Sequence, residues 1–387
     1  MWIPRLIESQ LARAAQERPV VVLTGARQSG KTSLVRKLFG DRRYVPLDLP
    51  ADAHTAELDP VSFLIQYPPP LVTDEVQYAP GLFRHLKRWV DERRQENGLF
   101  LLTGSQKFPL MKGVADSLAG RVGIFELEVL SHRELKQAPE EASLLRLVVR
   151  GGFPELYEKP ELEASFFYRS YLATYIERDV RALLQVGSLR NFERFIRACA
   201  LRSAQLLNKA ELARDVGVSP STADQWLSVL VASNQVSLLE PWFSSRTKSL
   251  VKSPKLYLND SGLLCFLLGI RNEGDLLVSP LAGAVWETAV YAELRKQLAP
   301  AEGTGSLFFW RDRTGEVDFL LHRGGRFRLM EAKWTETPTF RDFQAMDAAA
   351  EKLGSPWVDE RVVVARTDRS YPFAPGKRVQ SVDAVLE

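Results

Sequence analysis

"PVVVLTGARQSGKTSLVRKLF", residues 19–39, decides how the N-terminal part of the chain folds. "PVVVLTG" is an apolar, β-branched run of the kind that makes a buried strand, and "SLVRKLF" (33–39) has helical spacing. Between them "GARQSGKT", Gly25 to Thr32, matches G-x-x-x-x-G-K-[ST] in the context that motif needs, a strand before and a helix after. Glycines at 25 and 30 let the backbone wrap phosphates without side-chain clashes. The loop N–H groups and the helix N-terminus provide positive potential. The expected nucleotide cradle is therefore Gly25, Ala26, Arg27, Gln28, Ser29, Gly30, Lys31, Thr32 and Ser33. In that cradle Lys31 would neutralise the β- and γ-phosphates of ATP, and Thr32 would ligate Mg²⁺. The bland alternative is an accidental glycine-rich turn. Strand, helix and spacing together weigh against it.

Outward from this loop, strand-like and helix-like stretches alternate. "RYVPLDL" (43–49), "PLVTDE" (70–75), "GLFLLTGS" (98–105) and "VGIFELEVLS" (122–131) read as strands, with helices such as 81–94 between them. This alternation predicts a mostly parallel sheet covered by helices. In "LVTDEVQ", Asp74 ends a buried-type strand, where it can reach Mg²⁺ through water. Glu75 is placed to activate or orient a water for attack on the γ-phosphate. "LLTGSQ" ends another strand, so Thr103 or Ser105 could sense that phosphate; a plain polar turn is the competing reading. Arg121 in "LAGRV" is read either as an arginine finger or as a surface arginine. "RGGFPE" (150–155) is a turn signal that closes the domain.

The 387 residues are too many for one ordinary domain, and three are expected: 1–150, 151–275 and 276–387. With 51 basic and 48 acidic side chains, the net charge of +3 permits a nucleic-acid partner without arguing for one. Two isolated cysteines, Cys199 and Cys265, suit a reducing, cytoplasmic setting. The N-terminus lacks a signal-peptide core, and no window approaches the length of a membrane span. A long amphipathic helix is expected over 164–186, with Phe167, Tyr171, Ile176, Val180 and Leu183 on its apolar side. "NKAELARDVGVSPSTADQWLSVLVASNQVSLLE" (208–240) reads as a helix-turn-helix that breaks near Gly217 and restarts at Ser219–Pro220. The stretch 244–258 could be the hairpin of a winged helix, with Arg246, Lys248, Lys252 and Lys255 touching DNA phosphates. The second helix carries Ser219, Ser221, Thr222 and Gln225 but no Lys or Arg, so base readout is not expected. In the last domain, helices are expected at 283–298 and around 340–354, with a strand at 361–366.

"GEVDFLLHRGGRFRLMEAKW" (315–334) reads as a hairpin turning at Gly324–Gly325. That turn sets Asp318 opposite Glu331 and Glu316 opposite Lys333, all four on one face. Val317, Phe319, Leu321, Met330, Ala332 and Trp334 form the other. Glu316 with Lys333 reads as an ordinary ion pair. Asp318 facing Glu331 is unfavourable unless a cation lies between them. Mg²⁺ or Mn²⁺ would serve, with Lys333 stabilising a phosphate. Lys333 quenching both acids is the alternative.

"GARQSGKT", "TDEVQ", "LTGSQ", "LAGRV", "GGFPE", "YIERDV" and "KLYLNDSGLLCFLLGI" together resemble the AAA-type prokaryotic ATPases that carry a C-terminal domain of unknown function. The one departure is Thr73, where the family pattern prefers an apolar residue. The resemblance implies an additional-strand P-loop ATPase core, a winged-helix segment and a restriction-endonuclease-like C-terminal fold. The Asp-then-Glu-x-Lys arrangement of Asp318, Glu331 and Lys333 resembles the core of such nucleases, and Glu287 resembles the helical carboxylate they add. Two functional readings stand. One is an ATPase that acts on DNA with low sequence preference and carries a metal-dependent nuclease site. The other is an ATP-dependent switch or scaffold whose C-terminal domain binds a partner without cleavage. A P-loop small-molecule kinase is disfavoured, because Glu75 suits attack by water. A homo-oligomer is left open.

Overall fold

Every position of β1 (Val20–Thr24) is buried. In the computed structural model it lies inside a parallel sheet, between β4 (Phe100–Gly104) and β5 (Val122–Glu126). β3 (Leu71–Asp74) pairs with β4, and β2 (Arg43–Pro46) forms the edge, giving the order β2-β3-β4-β1-β5. All five strands fall where the apolar runs predict them. Val20 and Val22 pack with Phe100 and Leu102 on one face. Val21 and Leu23 pack with Val72 and Leu101 on the other. A parallel sheet covered on both faces needs such unbroken apolar runs. Because β4 separates β1 from β3, residues leaving its C-terminal end stand between the phosphate loop and the Asp74–Glu75 pair.

The structure describes residues 2–105, 107–137, 143–175, 189–243, 253–299, 305–313 and 315–386. They form two compact units. The first is Met1–Leu130 with Phe153–Glu155 and Ala232–Asn234; the second is Ser131–Gly152, Leu156–Val231 and Gln235–Glu387. Residues 131–150 are expected from the sequence with the ATPase sheet. They join the second unit because the helix Leu144–Arg150 packs on the helix Ser261–Leu268, where a Cβ on Gly262 would lie 2.6 Å from the Arg150 carbonyl.

Within the second unit the helix Lys209–Val216 ends on Gly217, whose φ of 76° is the left-handed conformation that glycine adopts freely. The helix Pro220–Ala232 follows, with Ser219 Oγ accepting the Thr222 N–H at 3.1 Å as its cap. A three-stranded antiparallel sheet accompanies this helix-turn-helix: β6 (Gln205–Leu206), β7 (Val236–Leu239) and β8 (Lys255–Leu258), in the order β6-β8-β7. That is a winged-helix arrangement. Arg246, Lys248 and Lys252 lie outside the described residues, as do Ile176, Val180 and Leu183. The helix expected over 164–186 is described as Ala164–Tyr175.

The C-terminal sheet has six strands in the order β13-β14-β12-β11-β10-β9. They are β9 (Ser306–Arg311), β10 (Glu316–Arg323), β11 (Arg326–Ala332), β12 (Val358–Val364), β13 (Tyr371–Ala374) and β14 (Lys377–Gln380). Gly324 and Gly325, at φ 57° and 81°, make the two-residue turn between β10 and β11. The pairing runs from Phe319 opposite Met330 to Arg323 opposite Arg326, which is the predicted register. The predicted single apolar face is not found. Opposite β9, strand β10 bulges between Val317 and Leu320. An extra residue in a bulge resets the alternation. Val317 therefore joins Leu320, Leu329 and Met346 in one cluster, whereas Phe319 packs on Tyr257 and Tyr291. Cys199 and Cys265 are buried free thiols. No helix among the described residues is long and apolar enough to cross a membrane.

Candidate functional site

The phosphate loop leaves β1 through Gly25, where a Cβ would sit 2.2 Å from the Leu127 carbonyl oxygen; no larger residue fits there. Gln28 and Gly30 also have positive φ, 59° and 96°, which curls the loop ahead of the helix Lys31–Leu38. Lys31 is buried, and its Nζ donates to the carbonyls of Gly25 at 2.9 Å and Ala26 at 2.8 Å, so the ammonium lies over the loop. Ser29 is fully buried and its Oγ has no hydrogen-bond partner, an orphan that a phosphate oxygen would satisfy.

Thr32 Oγ1 donates to Asp74 Oδ2 at 2.6 Å, so the two residues expected to share a magnesium ion already touch. Tyr44 also donates to that oxygen, at 2.5 Å; burial and the Asp74 carboxylate push its phenol pKa up. Thr103 Oγ1 donates to Asp74 Oδ1. Glu75 is a non-glycine residue held at φ 56°, a conformation that costs about 1 kcal/mol and needs support from its surroundings. Its carboxylate supplies that support: Ser105 Oγ donates to Oε2 at 2.9 Å, and the Gln77 amide donates to the same oxygen. Thr103 and Ser105, both open alternatives in the sequence, thus bond to the acidic pair. Arg121 does not reach it. Parallel pairing puts Val122 beside Val20 and Glu126 beside Thr24, so Arg121 stands at the end of the sheet away from the loop, roughly 17 Å off. Its guanidinium is paired with Asp91 at 2.8 Å.

The acidic hairpin has a different character from the one expected. Lys255, read as a DNA-phosphate contact, opens β8 with its side chain 3 % exposed. Its Nζ lies 2.6 Å from Glu316, 2.9 Å from Glu287 and 3.3 Å from Asp318. An ammonium has three donors, and here it meets three carboxylates. Burial alone would lower the Lys255 pKa, but Asp318, Glu287 and Glu316 outweigh it and hold it above its ordinary value. Burial and the neighbouring Asp318 push the Glu287 carboxyl up to about 7, against the pull of Lys255 and the Tyr257 hydroxyl. Asp318 Oδ2 accepts the Ala332 N–H at 3.1 Å. Glu331 is buried, which together with Asp318 raises its pKa, and Lys333 lies 2.8 Å away. Glu316 pairs with Arg311 at 3.2 Å, not with Lys333. Of the set Glu287, Asp318 and Glu331 expected to hold a metal ion, the first two meet the Lys255 ammonium and the third meets Lys333. Among the described residues no group of three His, Cys, Asp or Glu is arranged to hold a metal ion.

The AAA domain pattern matches residues 17–136, a domain of unknown function (DUF8612) matches 141–274, and another (DUF4143) matches 282–385. The uncharacterized proteins Rv2008c of Mycobacterium tuberculosis and Mb2031c of Mycobacterium bovis are each 36% identical to the chain over 335 residues, covering 86% of it and 74% of their own length. The chain belongs to their family. Among solved structures, the Walker-type ATPase paby2304 of Pyrococcus abyssi superposes with a TM-score of 0.46 at 15% identity, over 69% of this chain and 96% of that one.

The first unit is thus an AAA-type P-loop ATPase domain, and its donor set suits its expected ligands. Thr32 and Asp74 offer oxygen, the ligand type magnesium takes, and Lys31 offers a compact charge for phosphate. Sequence reasoning missed Tyr44 and Gln77. Tyr44 acts from the edge strand, outside any motif, and Gln77 closes the TDEVQ stretch, where only the two acids drew a role.

Proposed function

We propose that the protein hydrolyses ATP and uses the cycle to switch a C-terminal domain that holds a partner without cutting it. The observation that carries the first half is the placing of Lys31, Thr32, Asp74 and Glu75 at the C-terminal ends of β1 and β3, on either side of β4. A magnesium ion held by Thr32 Oγ1 and Asp74 would neutralise charge building on the phosphates. Lys31 would leave the loop carbonyls for the β- and γ-phosphates. Glu75, oriented by Ser105 and Gln77, would position the attacking water and accept its proton. What supports a partner-binding rather than a cutting role is Lys255: an ion-paired ammonium among the acids leaves no place for a catalytic cation. The test is Glu75→Gln, which should retain ATP binding and lose turnover by about 10²-fold or more. Phosphate release at the wild-type rate in that variant removes Glu75 from the mechanism.

A second reading, ATP-driven action on DNA, is favoured by the winged-helix arrangement. Against it, the exposed side of the helix Pro220–Ala232 carries Asp224, paired with Lys209, and no base-reading cation. ATP turnover that rises on addition of duplex DNA, with affinity falling steeply in salt, would select this reading. Strand breaks in Mg²⁺ or Mn²⁺ would restore the nuclease assignment.

A further inference from the structure

The phosphate loop is held from behind by an arginine that no motif contains. Arg5 precedes the helix Glu8–Glu17 and is 8% exposed. Its Nη1 donates to the Ser29 carbonyl at 3.0 Å, and its Nη2 donates to the Glu128 carbonyl at 2.6 Å. A guanidinium presents its N–H groups in a fixed planar fork. Arg5 therefore ties the tip of the loop to the backbone just past β5. Glu128 carries the connection onward: its Oε2 accepts from Asn234 Nδ2 at 3.1 Å, and both residues are 9% exposed. Asn234 holds φ 58°, a left-handed conformation that asparagine tolerates better than most residues. It lies two residues past the helix Pro220–Ala232, the second helix of the helix-turn-helix, and immediately before Gln235 and β7. Ala232–Asn234 belongs to the first unit, although the residues on either side of it belong to the second.

We propose that Arg5, Glu128 and Asn234 form a buried relay that links nucleotide occupancy of the phosphate loop to the order of residues 232–236. Arg5 and Asn234 are positioning residues, not catalytic ones. The proposal rests on the ATP site argued above. It adds that this site reports to the chain segment between the second helix of the helix-turn-helix and β7. Phosphates bind through the loop N–H groups, so they stiffen the peptide that contains the Ser29 carbonyl. The Arg5 fork then holds Glu128 in the place where its side chain receives Asn234. Coupling of this kind is reciprocal: whatever nucleotide does to the segment, the segment does to nucleotide affinity.

The test measures hydrogen exchange across 226–240 and the affinity for a non-hydrolysable ATP analogue with Mg²⁺, in the full chain. Asn234→Gly is the informative variant. Glycine keeps the positive φ, so the backbone is unstrained, and the side-chain bond to Glu128 is removed. Wild type should gain protection at 232–236 when the analogue binds. Asn234→Gly should lose that gain and bind the analogue about 5-fold more weakly, within the usual range of such couplings. Arg5→Lys, which keeps the charge but not the fork, should behave in the same way. Lys31→Ala removes both binding and protection if the site itself is as proposed. Analogue binding by wild type with no change at 232–236, or protection that survives in Asn234→Gly, overturns the relay and leaves the ATP site standing. Failure of wild type to bind the analogue overturns both.

Discussion

Replacing Lys255 with methionine is the sharpest test of how the C-terminal unit handles its acids. The side chain is 3 % exposed and its ammonium meets Glu316, Glu287 and Asp318 at 2.6, 2.9 and 3.3 Å. Methionine keeps most of the volume, so the change is chiefly electrostatic. Removing one partner of a buried ion pair costs about 3–5 kcal/mol, because the remaining charge is left uncompensated. Here Glu287 and Asp318 lose the Lys255 ammonium, while Glu316 keeps Arg311, and that range applies. The thermal midpoint of the second unit should fall by roughly 6–10 °C at pH 8. The loss should shrink at lower pH. Glu287 already has a folded pKa of about 7, above the ordinary value of ~4.3 for an unfolded glutamate. A raised carboxyl pKa contributes stability that is fully present below the unfolded value and lost as pH rises through the folded value. Without Lys255 the Glu287 pKa rises further, so the variant goes on losing up to about 1.4 kcal/mol per pH unit above pH 7, where the wild-type curve levels. Melting both proteins between pH 5.5 and 8 gives the two curves. A loss under about 1 kcal/mol at pH 8, or a gap that does not widen from pH 6 to pH 8, would refute the account.

Thr73 is fully buried in β3 and its Oγ1 has no partner, so Thr73→Val should stabilise the chain by about 1 kcal/mol in chemical denaturation. Gly262→Ala should destabilise by about 1–3 kcal/mol, because the new Cβ would meet the Tyr168 hydroxyl at 2.4 Å and two backbone atoms of residues 150 and 151 at 2.6 Å. Gly283→Ala is its control: nothing lies within 4 Å of that Cβ in the first turn of the helix Ala282–Leu298, and the same assay should show a change within about 0.5 kcal/mol.

The parts of this fold that were legible in the sequence are those set by local chemistry. Five apolar runs became five strands because a sheet buried on both faces admits little else. Gly324–Gly325 announced its turn because only glycine enters two consecutive left-handed conformations without strain. Gly217 and Ser219 marked the break in the helix-turn-helix for equally local reasons. The failures are tertiary. Period-two reasoning places Val317 and Phe319 on one face of β10, and a bulge set by the partner strand β9 divides them. Strands β9, β13 and β14 were not read; β13 and β14 are four residues each and owe their place to partners distant in sequence. The position of Arg121 follows from topology. In a parallel sheet a residue that enters a strand cannot lie at the end from which the phosphate loop departs.

Lys255 shows the same limit from the side of electrostatics. The register put Asp318 opposite Glu331, where like charges repel, and left open whether a metal ion or Lys333 offsets them. What the hairpin could not reveal is which cation. Lys255 is separated from Asp318 by 63 residues and begins a strand whose next three positions, Leu256, Tyr257 and Leu258, are buried. A lysine at the head of such a strand is usually a solvent-facing charge, and counting it with the basic residues of 244–258 followed that expectation. The acids of the neighbouring sheet reverse it. They hold the ammonium in the core, and the ammonium in turn lets three carboxylates persist near one another. An acidic cluster therefore points to a required positive charge, and a chain can supply that charge from itself.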